Sequence, residues 1–324
     1  MALKAMCAVL LLAGVFAGEA SAQDYPSRPI TVIVPFAAGG PADLLGRILG
    51  GEMSSVLKQQ LIVDNVNGAG GTIGTARAAK APPDGYTLLL MHVGIATAPA
   101  LYRKLPYDTV NDLEPIGRVA DVPMTLVARK TLPPQNFQEF LPYAKANKDK
   151  LTIATAGVGS ASHLCGMLFM RKIDTAFNVV PYKGNGPVMN DLISGQIDLT
   201  CDQTTNTTEQ IRGGTIKAYG VTAKSRLSAM PELATLDEQG LSGFEVFVWY
   251  GMWAPKGTPK PILDTLDHAL QVAVASPGFK ARMADLSSFP ATAAGATPEG
   301  LRTHLKSELE LWATVIKQAG VVPE

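Results

Sequence analysis

The sequence predicts an α/β protein built from parallel sheets with helical cover. Short β-branched runs alternate with segments of helical spacing along most of the chain, which is typical of parallel strands joined by helices. A strand that passes through a turn into a helix occurs twice, after Val34 and after Ala154, and this predicts two sheets. The chain has 324 residues, of which 47% are hydrophobic, enough to bury a core in about two domains.

The predicted elements follow one another without a flexible linker. Strands are expected at residues 30–34, 61–63, 86–91, 116–119 and 125–127, and then at 151–155, 179–182, 197–200, 216–221 and 245–253. Helices are expected at residues 43–57, 161–170, 186–194, 261–275 and 297–319. The second series of elements therefore begins near residue 151.

The first 22 residues have the three parts of a secretory signal peptide. Lys4 supplies a positive charge, residues 5–16 form an apolar run, and Ala20-Ser21-Ala22 forms a small-residue cleavage site. The apolar run is too short for a membrane anchor, because a helix needs about 20 residues to span a bilayer. We therefore expect cleavage after Ala22 and a soluble mature protein outside the cytoplasm.

The charge balance argues against nucleic acid or an anionic membrane surface as a partner. Lys and Arg number 28, as do Asp and Glu, so the chain has no net attraction to a polyanion. Four histidines and three cysteines are little material for a metal centre, and we expect no metal and no cofactor. Cys165 and Cys201 remain after cleavage. An oxidising compartment permits a disulfide between them, and two buried free thiols are the alternative.

The first turn between a strand and a helix has the composition of an anion-binding loop. Gly39 and Gly40 let the backbone approach a ligand closely, and Pro41 suits the first position of a helix. The free N–H groups and the dipole at a helix start attract an anion, so a carboxylate could be held without Arg or Lys. An ordinary turn without a ligand is the alternative. The candidate residues here are Phe36, Ala37, Ala38, Gly39, Gly40 and Asp43.

A second turn, after residue 155, has the same position between a strand and a helix. Ser160 and Ser162 are each good helix caps, and either hydroxyl could equally contact an anion. Ligands of open parallel sheets lie beyond the carboxyl ends of the strands. Two sheets that face each other would therefore direct both turns into one cleft that fits a compact acid such as a dicarboxylate. The candidate residues here are Gly157, Gly159, Ser160, Ser162 and His163.

Two other chemistries fit the second turn less well. The pattern Gly157-x-Gly159-x-x-Ser162 lacks the third glycine of a dinucleotide-binding fingerprint. Ser160 and His163 could belong to a secreted serine hydrolase, but the nucleophile elbow G-x-S-x-G is absent. The hydrolase is kept as the alternative enzyme function.

An ordered set of short motifs runs through nearly the whole mature sequence. They are YPSRPI at 25–30, VPFAAGG at 34–40, NGAGG at 67–71, PDGYTL at 83–88, LPYD at 105–108, PYKG at 181–184, GQID at 195–198, WYG at 249–251 and APKGTP at 254–259. With these motifs the sequence resembles the periplasmic solute receptors of tripartite tricarboxylate transporters, also called Bug receptors. No single motif is decisive, but the ordered set is highly specific.

The resemblance implies a two-lobed type II periplasmic-binding-protein fold with a ligand cleft between the lobes. Lobe 1 would comprise residues 23–122 and 225–324, and lobe 2 residues 123–224. In this family the loop at 36–43 holds one carboxylate and the turn at 157–163 contributes from the other lobe. The resemblance also implies that Asp202 stands at the acidic position of the family. The implied function is a non-enzymatic receptor that delivers a small organic carboxylate to membrane components of the transporter.

Several residues depart from the family pattern or leave the ligand open. His92 stands where many members carry small hydroxyl residues; it could meet a second acidic group or be a packed wall residue. Thr204 lies in a polar run after Asp202 that could bind the far end of the ligand or cap a helix. Phe36, Phe169 and Tyr182 could stack on an aromatic ring, with packing in the apolar core as the alternative for Phe169.

The ligand hypothesis therefore includes aromatic dicarboxylates such as terephthalate, while citrate-like, dicarboxylic and amino acids stay open. We expect a monomer. A sensor subunit that presents its ligand-bound form to a signalling partner is the remaining alternative.

Overall fold

The computed structural model describes residues 25–318 and residue 323. The predicted signal peptide and its cleavage site at Ala22 lie outside these described residues. The strands are β1 (Ile30–Val34), β2 (Leu61–Asn65), β3 (Thr87–His92), β4 (Leu113–Arg129), β5 (Thr152–Thr155), β6 (Asn178–Pro181), β7 (Leu199–Gln203), β8 (Ile216–Val221), β9 (Phe247–Pro255) and β10 (Phe289–Pro290).

The helices are α1 (Pro41–Leu57), α2 (Thr72–Ala79), α3 (Gly94–Leu101), α4 (Phe137–Ala146), α5 (Ala161–Lys172), α6 (Asn185–Ser194), α7 (Thr204–Arg212), α8 (Lys260–Ala275), α9 (Pro277–Asp285) and α10 (Pro298–Gln318). A single 3-10 turn, Ala69–Gly71, precedes α2. In the described part of the chain, no helix combines the length and the apolar character needed to cross a membrane.

One long strand, β4, joins two parts of a mixed sheet. The strand order is β2-β1-β3-β9-β4-β7-β5-β6, and β8 and β10 also pair with β4. β4 pairs with β9 as far as Pro123, and from Met124 onward it pairs with β7 and β8. We call β1, β2, β3, β9 and β10 the first half-sheet, and β5, β6, β7 and β8 the second half-sheet.

The predicted α/β alternation is confirmed, but the sheet is mixed rather than parallel. β9 runs antiparallel to β3 and β4, and β4 runs antiparallel to β7 and β8. The two strands predicted at 116–119 and 125–127 are parts of the one strand β4, which contains Pro115 and Pro123. Proline lacks the N–H that a strand ladder needs, so these positions look like strand ends in the sequence.

Proline also hides two of the helices that the sequence pattern does not predict. Pro99 lies inside α3 and Pro142 lies inside α4. A proline in a helix removes one main-chain hydrogen bond and is normally a sign that the helix ends. The burial of these helices on the rest of the protein outweighs that local preference.

α1 packs closely on the first half-sheet because Gly46 has no side chain. Leu45, Leu49 and Met53 are fully buried beneath this helix, each worth about 1.5–3 kcal/mol of burial. A Cβ atom at Gly46 would lie 3.2 Å from the side chain of Val34 on β1. This packing directs the start of α1 to the turn that follows β1.

A disulfide joins Cys165 on α5 to Cys201 on β7, with Cα atoms 6.0 Å apart. Both cysteines are buried. Of the two alternatives that the sequence leaves open, the structure has the disulfide. The bridge fastens α5 to the strand that ends at Gln203.

Candidate functional site

A small cavity lies between the two half-sheets. The volume open to the centre of a water molecule is about 10 Å³, close to the minimum that holds one water. The cavity is lined by Phe36, Gly40, Pro41, Ala42, His92 and Tyr250 on the side of the first half-sheet, and by Ala161, Asn185 and Gln203 on the side of the second. A dicarboxylate is larger than one water, so binding one requires these walls to move apart.

Four helices begin at the wall of this cavity. Pro41 and Ala42 open α1, Ala161 opens α5, Asn185 opens α6, and Gln203 is the residue before α7. Each helix start carries about half a positive charge and N–H groups without a partner in the helix. Of the described residues that line the cavity, none is a lysine or an arginine. The electrostatics of the wall therefore favour an anion held by main-chain groups.

The turn between β1 and α1 is braced from behind by Asp43. The Asp43 carboxylate accepts a hydrogen bond from the Gly39 N–H at 3.0 Å and pairs with Arg47 at 2.9 Å. Burial by itself raises the pKa of Asp43, but the bonds from Arg47 and Gly39 outweigh it and lower the pKa below its usual value. Gly39 has a φ of +76°, which favours glycine. Asp43 thus shapes the turn, whereas Phe36 and Gly40 line the cavity.

The turn between β1 and α1 also contacts the start of α6, which belongs to the side of the second half-sheet. The Ala37 N–H donates to the Lys183 carbonyl at 3.2 Å. A Cβ atom at Gly186 would lie 2.6 Å from the Ala38 carbonyl oxygen, so only glycine allows this approach. The residues Ala37 and Ala38 therefore form a contact between the two sides of the cavity.

In the turn between β5 and α5, the serine hydroxyls form hydrogen bonds with main-chain groups of the turn itself. Ser160 caps α5 by accepting from the His163 N–H at 3.3 Å, and Ser162 accepts from the Ala156 N–H at 2.8 Å. The Nδ1 atom of His163 accepts from the Gly159 N–H at 3.3 Å. These contacts are those of a helix start.

Two glycines complete that turn with positive φ angles, +106° at Gly157 and +79° at Gly159. Across the cleft, the Tyr102 hydroxyl donates to the Val158 carbonyl at 2.9 Å. The turn that carries Ser160, Ser162 and His163 is thus tied to α3 and its following residues, and it reaches the cavity lining through Ala161.

His92 ends β3 and forms part of an aromatic wall. Its ring stacks on Phe36 with centroids 4.6 Å apart and meets Tyr250 edge-on at 5.6 Å. Burial lowers the pKa of His92 to about 3, so the ring is neutral at neutral pH. Because Nδ1 accepts from the Gly94 N–H at 2.9 Å, the neutral ring carries its proton on Nε2. His92 is thus a packed wall residue, and the proton on Nε2 gives its ring the capacity to donate a hydrogen bond.

Of the lining residues, Pro41, Ala42 and Ala161 were not among the predicted site residues, and neither were three with polar side chains: Asn185, Gln203 and Tyr250. The Tyr250 hydroxyl donates to Oε1 of Gln203 at 2.8 Å, which links β9 to β7. The Ser162 hydroxyl donates to Oδ1 of Asn185 at 3.4 Å. Asn185 follows the PYKG motif, Tyr250 belongs to the WYG motif, and Gln203 begins the polar run after Asp202. The sequence therefore contained a signal at each of these three positions.

Asp202 lies directly behind these residues and is fully buried. Its carboxylate accepts from the Asn185 side chain, from the Asn206 side chain at 2.6 Å and from the Gln203 N–H at 2.7 Å. Burial raises its pKa to about 7, and these three bonds limit the rise. Asp202 therefore orients the polar residues of the wall rather than lining the cavity itself.

Tyr182 and Thr204, both predicted site residues, do not line the cavity. The Tyr182 hydroxyl donates to Asp191 on α6 at 2.5 Å, and its ring packs on the apolar core of the second half-sheet. The Thr204 hydroxyl donates to the Ser287 carbonyl at 3.1 Å, so it joins α7 to the segment before β10. Thr204 thus links the two sides of the molecule at a place next to the cavity.

Comparison with known proteins identifies the family. Residues 45–320 match the TctC family, the tripartite tricarboxylate transporter family receptor. The chain belongs to this family.

Solved structures of TctC-type proteins are closely similar to this receptor. The periplasmic binding protein BugD is 49% identical, with a TM-score of 0.91 over 93% of this chain and 100% of its own. MatC from Rhodopseudomonas palustris, with bound malate, is 37% identical, with a TM-score of 0.86 over 90% and 100%. The Rpa4515 protein of R. palustris, with adipate, is 31% identical, with a TM-score of 0.88 over 93% and 100%.

These relationships confirm the receptor class and the two-lobed periplasmic-binding-protein fold. TctC receptors bind small carboxylates and serve a tripartite transporter; they are not enzymes. The serine-hydrolase alternative built on Ser160 and His163 is therefore excluded. Its residues instead start a helix at the edge of the cleft.

Proposed function

We propose that this receptor captures a small dicarboxylate between its two half-sheets and passes it to the membrane components of its transporter. The observation that carries the proposal is the meeting of four helix starts at one cavity whose described lining has no lysine or arginine. Hydrogen bonds from main-chain N–H groups to a charged acceptor contribute about 1.5–3 kcal/mol each. Several such bonds are enough to hold a carboxylate without a cationic side chain.

One carboxylate lies against the turn between β1 and α1 in this proposal, next to Phe36 and Gly40. The far end of the ligand meets neutral donors: Nε2 of His92, the Gln203 amide and the Asn185 side chain. The turn that carries Gly157 and Gly159 closes the cavity from the other side.

The cavity opens by movement of two lobes, residues 23–122 with 225–324 against residues 123–224. The change of partner along β4 at Pro123 and Met124 supports a hinge there, since few strand bonds cross that point. The ligand stabilises the closed form because it contacts both lobes at once.

Malate in MatC and adipate in Rpa4515 support an aliphatic dicarboxylate as the ligand. The stacked pair of Phe36 and His92, with Tyr250 edge-on, favours an aromatic diacid such as terephthalate as the second candidate. Both candidates present two carboxylates, which the ring of terephthalate holds at a fixed separation and an aliphatic chain does not.

In this proposal the protein is exported to the periplasm before it binds its ligand. The signal peptide is removed after Ala22, the mature protein is a periplasmic monomer, and transporter delivery is its role rather than sensing. N-terminal sequencing of the periplasmic protein should begin at Gln23, and light scattering should give the mass of one chain. Ligand-dependent capture of a signalling protein, with no effect of gene loss on uptake, would favour the sensor alternative instead.

Thermal-shift measurements test the ligand class directly. L-Malate, adipate and terephthalate are each compared with the corresponding diamide, which has the same shape without charge. A ligand at 100 times its Kd stabilises the protein by about 2.7 kcal/mol, so at least one diacid should raise Tm and no diamide should. The absence of a shift with every diacid would contradict the proposal.

A matched pair of variants tests the role of the helix starts. Ala42→Asp places a negative charge at the start of α1, and Ala42→Asn adds a neutral side chain of nearly the same size. We expect Ala42→Asp to weaken diacid binding at least about tenfold more than Ala42→Asn, because it repels the ligand. Equal losses would show that the helix start does not act on the ligand charge.

A further inference from the structure

Asp202 is a fully buried carboxylate whose partners are all neutral. Its hydrogen bonds come from the side chains of Asn185 and Asn206 and from the Gln203 N–H. It forms no ion pair with any described residue. A buried carboxylate without a cation is costly when ionised. Two of its partners, Asn185 and Gln203, line the cavity.

The elements packed around β7 offer Asp202 no compensating charge. The chargeable or titratable side chains on these elements are Tyr250 on β9, His163, Arg171 and Lys172 on α5, Asp191 on α6, Glu209 and Arg212 on α7, and Glu114, Arg118, Asp121 and Arg129 on β4. Arg171 and Lys172 are exposed in the last turn of α5, at the opposite end from the cavity. Asp191 is held by Tyr182, Arg129 by Asp198 and Arg118 by Asp121. The charge of Asp202 itself contributes to the raised pKa of Tyr250, after burial.

A neutral Asp202 suits the charges of the site better than an ionised one. Four helix starts supply about two positive charges, which matches the two negative charges of a dicarboxylate. An ionised Asp202 would add a third negative charge in a region that closure removes from water. Coulomb repulsion is strongest under those conditions because the effective dielectric is low.

We propose that Asp202 sets the ligand charge that the site accepts, by taking up a proton from solvent when a dicarboxylate binds. The inference rests on the proposed function, because it presupposes a dianion in this cavity. The pKa of about 7 in the unliganded protein places the proton within reach at neutral pH. The Asn206 amide can turn its oxygen toward the new O–H, so the hydrogen bond is kept. Asp202 acts through Asn185 and Gln203 and is a positioning residue.

The direction of the pH effect follows from this proton uptake. Ligand binding raises the pKa of Asp202 further, so binding is strongest below about pH 7, where the free protein is already protonated. Above that pH the Kd should rise by up to about tenfold per pH unit, until the pKa of the bound state is passed. A monocarboxylate brings one charge fewer and should show a smaller slope.

Calorimetry with L-malate and adipate at about pH 8 measures the proton directly. Titrations in buffers of different ionisation enthalpy should give close to one proton taken up per ligand. Asp202→Asn mimics the neutral form, so its Kd should stay constant from about pH 6 to about pH 9 without proton uptake. Asp267→Asn is the matched control: burial also raises the pKa of Asp267, which lies on α8 away from the cavity, and this variant should keep the wild-type profile.

His92 lines the same cavity and is the other group able to take a proton there. His92→Gln should retain the uptake, and persistence of uptake in Asp202→Asn would overturn the inference. Diacid binding by the wild type with no proton uptake and a flat pH profile would overturn it as well, without need of a variant. Failure of every diacid to bind at every pH would contradict the proposed function itself, which is a different result.

Discussion

Tyr250 donates its phenolic proton to Oε1 of Gln203 at 2.8 Å and so connects the first half-sheet to the second across the cavity. Both side chains are buried. Since the Gln203 oxygen is occupied by Tyr250, the Gln203 amide N–H groups remain available as donors. The bond thus orients a neutral donor toward the cavity and depends on the two half-sheets being close together.

Removal of the Tyr250 hydroxyl should weaken ligand binding more than folding. In Tyr250→Phe the closed form loses one hydrogen bond between the half-sheets, worth about 0.5–1.5 kcal/mol. We expect the Kd for the diacid to rise about two- to tenfold, as measured by calorimetry, with little change in the Tm of the free protein.

Tyr219→Phe is the control for the loss of a buried phenol. The Tyr219 hydroxyl donates to the Pro134 carbonyl at 3.0 Å. This bond lies on the side of the second half-sheet, away from the cavity. This variant should lose about 1 kcal/mol of unfolding free energy and keep the wild-type Kd. If both tyrosine variants behave alike, the bond between Tyr250 and Gln203 has no special part in closure.

The sequence predicted the local elements better than the way in which they join. The helix α1 and the strand β1 came from apolar spacing, which reports burial on one face. The continuity of β4 could not be predicted, because Pro115 and Pro123 normally interrupt strands and only tertiary pairing keeps this one intact. The antiparallel direction of β9 is likewise set by partners distant in the chain.

The candidate site was predicted where its chemistry is local. The turn containing Gly39 and Gly40 was predicted from glycines before a helix start, a signal within a few residues. Tyr250 and Gln203 are 47 residues apart, and their bond arises only when two half-sheets meet. Tyr182 looked available for a ligand, but its hydroxyl donates to Asp191 on the neighbouring helix.

Gly186→Ala should block closure without harming the fold. The added Cβ atom would lie 2.6 Å from the Ala38 carbonyl oxygen, so the turn and α6 must separate. Gly186 is the second residue of α6, and alanine is favoured over glycine in a helix by up to about 1 kcal/mol, which offsets losses in the free protein. We expect an affinity loss of at least about tenfold in calorimetry, with Tm within a few degrees of wild type.

Gly51→Ala supplies the comparison on an exposed helix position. No atom lies within 4 Å of the Cβ atom that this change adds to α1. It should raise stability by about 0.5–1 kcal/mol and leave the Kd unchanged. A normal Kd in Gly186→Ala would mean that the contact with Ala38 is dispensable for binding.

His92→Phe should reduce the preference for two carboxylates over one. Phenylalanine keeps the stacking on Phe36 but has no Nε2 proton to donate. The Kd for adipate should rise about two- to tenfold, while the Kd for the matching monocarboxylate, hexanoate, changes less. Equal changes for both acids in calorimetry would remove His92 from recognition of the far end.

The same variant tests the protonation state of His92. Its pKa is lowered to about 3 in the folded protein, against 6.5 ordinarily, so the unfolded chain binds more protons between these values. The stability that neutral His92 contributes is present above about pH 6.5 and is lost as the pH falls toward 3. Wild type should therefore lose stability relative to His92→Phe over that acid range, as denaturant unfolding would measure.

The disulfide between Cys165 and Cys201 should support both stability and affinity, because it fastens α5 to β7 beside the cavity. The bridge closes a loop with a sequence separation of 36 residues, for which about 2–4 kcal/mol of stabilisation is expected. Cys165→Ala with Cys201→Ala should lower the unfolding free energy by about that amount in urea. The start of α5 at Ala161 and the end of β7 at Gln203 would then be held by packing alone, and the Kd for the diacid should rise.

The wild type treated with a reductant under denaturing conditions and refolded without reoxidation is the comparison, since it keeps both sulfur atoms. An unchanged Kd in both forms, together with the loss of stability, would confine the disulfide to folding.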